Sequence, residues 1–157
     1  MAIRCRTLAE HLAAALTEQS AAAFGVSLVA SVVERPEDQA VTAENILCDV
    51  LPLGRTSGPS GEAGRENAVA VRIGIRAKLG TAIGPKPTLD LSALRELVDR
   101  VVDWLGGEGD DSGANFYEPP SGWTIGEIDA LPGLDPQRLA AREFLSIVSV
   151  ELRSSGL

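Results

Sequence analysis

Residues 68–79 read AVAVRIGIRAKL, the cleanest periodic signal in the sequence. Val69, Val71, Ile73, Ile75, Ala77 and Leu79 alternate with Ala70, Arg72, Gly74, Arg76 and Lys78. Successive side chains of a strand point to opposite faces, so one face is wholly apolar and the other small or cationic. A helix would scatter the same residues around its circumference. The pattern predicts a half-buried antiparallel strand whose apolar side needs a cover.

That cover follows in the chain. After a turn over residues 80–87 with two prolines, Leu91, Leu94, Leu97, Val98, Val101, Val102 and Leu105 recur at helical spacing. Arg95, Glu96, Asp99, Arg100 and Asp103 face away from this stripe. Thr88 or Asp90 is the expected N-cap, and Gly106-Gly107 the stop. Upstream, Thr7 and Glu10 have the spacing of a capping box ahead of a helix over 8–22 that carries Leu8, Leu12, Ala15 and Leu16 on one side. Phe24-Gly25 is expected to end it, with Gly25 at positive φ.

The remaining elements are shorter. Residues 26–35 read as a β-branched strand stopped by Pro36. Residues 46–53 read as a second, with Ile46, Cys48 and Val50 on one face and Pro52 marking its end or an edge. The run RTSGPSGEAGRE within residues 54–66 is rich in glycine and predicts a long exposed loop. A second, acidic loop is expected over 106–122, then a short strand over 123–128 and a brief helix over 137–143. A last strand over 144–153 places Phe144, Val148, Val150 and Leu152 opposite Ser149, Glu151 and Arg153. The expected fold is α+β: one domain over 1–157, a mixed or mainly antiparallel sheet of about four to five strands, and amphipathic helices packed on one face.

At 157 residues, with 45% hydrophobic and 23% charged, the chain has the size and balance of a single globular domain. Cys5 and Cys48 form no C-x-x-C pair and follow no secretory leader, so free thiols in a reducing cytoplasm are expected. No apolar stretch approaches the roughly 18 residues of a membrane span. The net charge is −8, and the stretch from Asp103 to Asp135 holds eight carboxylates with no Lys or Arg. Phosphate backbones are gripped by cations, so this balance argues against nucleic-acid binding and suits a surface that nucleic acid slides past.

A search for chemistry finds little. His11 is the single histidine, and no set of ligands at metal spacing accompanies it. Cys48 with His11 is the one conceivable nucleophile–base pair, against a plain reading of Cys48 as a small core residue. Residues 80–86 lack the Gly-Lys-Ser/Thr end of a phosphate loop, and Pro85 removes a donor. Residues 106–115 lack the acidic spacing and closing glutamate of an EF-hand. No catalytic residue, metal ligand or cofactor is therefore expected. Two features stand out as contact candidates: the cationic strand face of Arg72, Arg76 and Lys78, and the aromatics Phe116, Tyr117 and Trp123. The strand face is either solvated or a dock for the acidic segment of a neighbouring copy. The aromatics either cover the sheet edge of their own subunit or anchor a contact.

The element order resembles that of the tail-terminator, or tail-completion, proteins of long-tailed bacteriophages. The residues behind the likeness are the alternating strand 68–79 coupled to the helix 91–105, and the closing F-x-S-x-V-x-V pattern of Phe144, Ser146, Val148 and Val150. The likeness covers most of the chain, with longer loops at 54–66 and 106–122. It implies a structural virion subunit, without enzymatic activity, that forms a homo-hexameric ring. Such a ring caps the tail-tube protein, ends tube growth and meets the head-completion (neck) protein. It leaves a channel through which DNA passes without specific binding. Assembly in the host cytoplasm, residence at the head-proximal end of the tail and no membrane partner belong to the same expectation. A head–tail connector and a small-molecule-binding α+β module are the alternatives.

Overall fold

The computed structural model describes residues 5–26, 28–33, 46–60, 64–78, 91–107, 116–131 and 143–156. The elements run α1 (Cys5–Phe24), β1 (Leu28–Val32), β2 (Ile46–Ser60), β3 (Gly64–Lys78), α2 (Leu91–Leu105), β4 (Thr124–Leu131) and β5 (Glu143–Gly156). The strands form one five-stranded sheet in the order β1-β2-β3-β5-β4. β1 and β2 are parallel, while the β2–β3, β3–β5 and β4–β5 pairs are antiparallel. The fold is α+β with a mixed sheet and two helices on it. The expected helix over 137–143 and the caps Thr88 and Asp90 lie outside the described residues.

β3 sits at the centre and obeys its alternation. Val69, Val71, Ile73, Ile75 and Ala77 are all buried in one core. Ile46, Cys48 and Val50 of β2 and Phe144, Val148, Val150 and Leu152 of β5 join them on the same face. α1 supplies Leu8, Leu12 and Leu16, and α2 supplies Leu94, Leu97, Val98, Val101 and Leu105. Each such aliphatic side chain contributes about 1.5–3 kcal/mol on full burial, before ordering costs. Trp104, absent from the expected stripe, is buried as well and is the largest of the enclosed side chains.

Two expectations about local structure fail. Residues 54–60 and 64–66, expected in a long loop, are strand. β2 continues to Ser60 and β3 begins at Gly64, in register from Gly54↔Ala70 to Ser60↔Gly64. Cross-strand hydrogen bonds come from the backbone, so a partner strand overrides the weak strand propensity of glycine and serine. The ladder shifts register between Pro52 and Gly54, which accommodates the proline at a bulge. The capping box is absent too. α1 begins at Cys5, which puts Thr7 inside the helix, and Glu10 pairs instead with Arg6 at 3.0 Å. At the other end Gly25 has φ 77° and its N–H donates to Ala21 O, as expected of a helix stop.

The outer side of β1 is held by hydroxyls of α1. Ser20 Oγ accepts from Leu28 N at 2.9 Å, and Thr17 Oγ1 accepts from Ala30 N at 3.1 Å. Thr17 Oγ1 also lies 3.3 Å from Ala30 O and can donate to it. Main-chain groups that a further strand would pair with are thus satisfied by a helix, which closes this edge. Replacing Ser20 by Ala leaves a buried N–H without an acceptor, so the unfolding free energy in urea should fall by about 1–3 kcal/mol. Glu18→Ala, at an exposed position on the same helix, should stay within about 0.5 kcal/mol of the parent.

Candidate functional site

The alternation that buries one side of β3 sends Ala70, Arg72, Gly74, Arg76 and Lys78 to the other. Their neighbours follow from the register. Leu47, Asp49 and Leu51 of β2 stand opposite Arg76, Gly74 and Arg72, and Leu145, Ile147 and Ser149 of β5 stand opposite the same three residues. Val29 of β1 pairs with Leu47, and Asp129 of β4 pairs with Ser149. Leu47, Asp49 and Arg76 are buried; Leu51, Arg72, Leu145, Ile147 and Ser149 are half-buried; Val29, Lys78 and Asp129 are exposed.

The three cationic candidates of this face separate. Arg76 is not a free docking cation, because its Nε donates to Asp49 Oδ2 at 2.7 Å and its Nη2 to Asp49 Oδ1 at 3.2 Å. With 3% and 5% exposure, the two residues form a buried, bidentate ion pair between β2 and β3. Arg72 is half-buried, and its Nε is enclosed with no hydrogen-bond partner among the described residues. Lys78 is exposed.

The aromatic candidates also divide. Tyr117 is 2% exposed and belongs to the core, not to a contact surface. Its N–H donates to Trp104 O at 2.9 Å, and its ring lies 5.2 Å from that of Trp104. Its hydroxyl shares a 2.9 Å hydrogen bond with His11 Nδ1. Burial raises the Tyr117 phenol well above the ordinary tyrosine range. Phe24 meets Trp104 edge-to-face at 5.5 Å, and the Trp104 indole N–H donates to Gln19 Oε1 at 3.2 Å. Phe116 and Trp123 are partly buried against the same core. Packing within the subunit therefore accounts for the cluster.

Cys48 is fully buried on the helix-covered face. Its thiol is pushed up to about 12, first by burial and then by the negative charge of Asp49. A thiolate is thus strongly disfavoured there, and His11 is engaged with Tyr117. Among the described residues no group of three or more His, Cys, Asp or Glu is placed to hold a metal ion. Residues 80–86 and 108–115, weighed above as a phosphate loop and a calcium loop, lie outside them. A cleft of about 240 Å³ opens where α1 ends against α2, lined by Phe24, Val26, Ile46, Leu94, Leu97 and Arg100. It falls below the roughly 300–1,000 Å³ of small-molecule sites, and Arg100 at its edge is committed to Phe24 O and Glu96. No described helix is long and apolar enough to cross a membrane.

Of the groups that shape this surface, Asp49 was not singled out from the sequence. A signal existed, since a lone carboxylate inside the apolar run ILCDVL is seldom buried without a cation. No protein-family model matches the sequence, and no curated protein matches it.

Two measurements check this geometry. Asp49→Ala and Arg76→Ala should each cost about 3–5 kcal/mol of stability, because each strands a buried charge. The double variant should cost less than the sum of the two, as a double-mutant cycle will read. In native buffer a disulfide reagent should modify Cys5, which is only partly buried, and reach Cys48 only as the chain unfolds. Prompt reaction of both thiols in the folded protein would contradict the buried placement of Cys48.

Proposed function

We propose that this chain is a ring-forming structural subunit of the tail-terminator kind. In this reading it caps a phage tail tube, ends tube polymerisation and offers the opposite side of its ring to head-completion proteins. Its role is to assemble, not to carry out a reaction.

The observation that supports the reading most is the division of labour between the two faces of the sheet. α1 and α2 pack on one face and complete a single core. The other bears half-buried Leu51, Leu145 and Ile147 around Arg72, with Val29 and Lys78 exposed. Large apolar side chains mixed with arginine are the composition of contact surfaces. The order of strand 68–79, helix 91–105 and a closing strand through Phe144, Val148 and Val150 is what the resemblance rests on, and all three elements pack together in one layer pair.

A ring built head to tail uses two different surfaces of each copy, and it closes when their rotation closes. The net charge of −8 suits a conduit wall, because it offers DNA phosphates few cations to hold them. Localisation to the head-proximal end of the tail, after assembly in the host cytoplasm, belongs to the same proposal.

Sedimentation velocity over a wide concentration range, with electron microscopy of the chain mixed with tail-tube protein, tests it. The expected result is a defined oligomer, six copies, alone or seated on tube ends. A chain that stays monomeric in both experiments overturns the reading, and binding to the head portal in place of the tube would assign it to the connector instead.

A further inference from the structure

Two pairs of charges on the second face of the sheet are matched within the subunit. Asp49 and Arg76 are bonded to each other, and Arg153 Nε donates to Glu151 Oε1. Lys78 stands in register with Glu143. Arg72 has no such partner among the described residues. Its two row neighbours are Leu51 and Ser149, neither of them ionised, and the diagonal carboxylate of Asp49 has both oxygens on Arg76. Its Nε is enclosed without a hydrogen-bond partner among the described residues, a state that costs free energy.

The same row ends in an unmatched anion. Ser149 pairs with Arg72 on one side and with Asp129 of β4 on the other. Asp129 is exposed and has no ion-pair partner among the described residues, and Glu127, also exposed, precedes it at the bulge between Ile125 and Ile128. That bulge and these charges discourage strand-on-strand pairing at the β4 edge. They leave side-chain contact as its means of association.

We infer that Arg72 of one copy receives Asp129 of a second copy. The half-buried Leu51 and Ile147 beside Arg72 would be covered by the incoming β4 rim. The inference rests on the ring reading and deepens it. Cation and anion lie in one row of one face but on different strands, so a single subunit carries both halves of the contact. Each copy can therefore give its Asp129 to one neighbour and take another's at Arg72, which is a heterologous interface. Enclosing Arg72 on binding also shields the pair from solvent, where a rim pair would contribute little.

The experiment uses the full chain and two charge reversals, Arg72→Glu and Asp129→Arg, followed by sedimentation velocity at several protein and salt concentrations. Each variant alone should associate at least about tenfold more weakly than wild type. An equimolar mixture should recover association, because the acidic face of one variant fits the basic rim of the other. Wild-type assembly should weaken as salt rises. Circular dichroism checks folding, and if Arg72→Glu does not fold, Arg72→Met must still show the weakened association.

Wild-type assembly with both reversals equally competent overturns this contact and leaves the ring reading standing. Weakened variants whose mixture fails to recover overturn the Arg72–Asp129 pairing. The same holds if the variants lose only tube binding while self-association persists. A wild-type chain that never assembles, with or without tube protein, overturns the contact and the ring reading together.

Discussion

The period of two along β3 is the constraint from which the rest of the structure follows. A strand cannot turn its apolar residues to one side without turning their neighbours to the other. Val69, Val71, Ile73 and Ile75 require a cover, which α1 and α2 supply from the same side. Arg72, Arg76 and Lys78 are thereby committed to the opposite face, whatever that face is used for. A slip of one residue in the β2–β3 or β3–β5 register would exchange the two sets and place arginines against Leu94 and Val101. Register is therefore held by core packing across both neighbours of β3.

The second face shows how such a constraint is made compatible with a stable fold. A buried arginine is tolerable only with a carboxylate at bonding distance, and Asp49 meets Arg76 from the adjacent strand. Burial in the core first, and the Asp49 charge second, deny the neighbouring Cys48 thiol any useful acidity. Arg72, four residues before Arg76, has no such arrangement among the described residues. Two residues of the same type on one strand face thus differ in their surroundings, one bonded to a carboxylate across the strands and one half-buried without such a bond among the described residues.

Much of this was legible because it is local. The alternation of β3, the stripe of α2, the positive φ of Gly25 and the two faces of β5 each follow from a pattern within a dozen residues or so. What escaped was set by distant partners. Residues 54–60 carry glycine and proline and read as a loop, yet they pair because β3 runs beside them. The prolines fall where β2 has outrun β1, which ends at Val32 and leaves that side of β2 without a described strand. Thr7 and Glu10 had cap spacing, but the helix starts earlier and Arg6 takes the glutamate. Tyr117 lies in an irregular segment, and only the fold brings Trp104 and His11 to its two ends. The Asp49–Arg76 bond required the β2–β3 register, which no side-chain pattern records.

Hydroxyl-radical footprinting read by mass spectrometry can distinguish the two unlike faces of the sheet. In the dilute, unassembled chain, Leu51, Leu145 and Ile147 should be oxidised well above Val71, Ile73 and Val148, although all six lie on the three central strands. Equal labelling of the two sets, or stronger labelling of the second, would rule out a sheet with one covered and one open face.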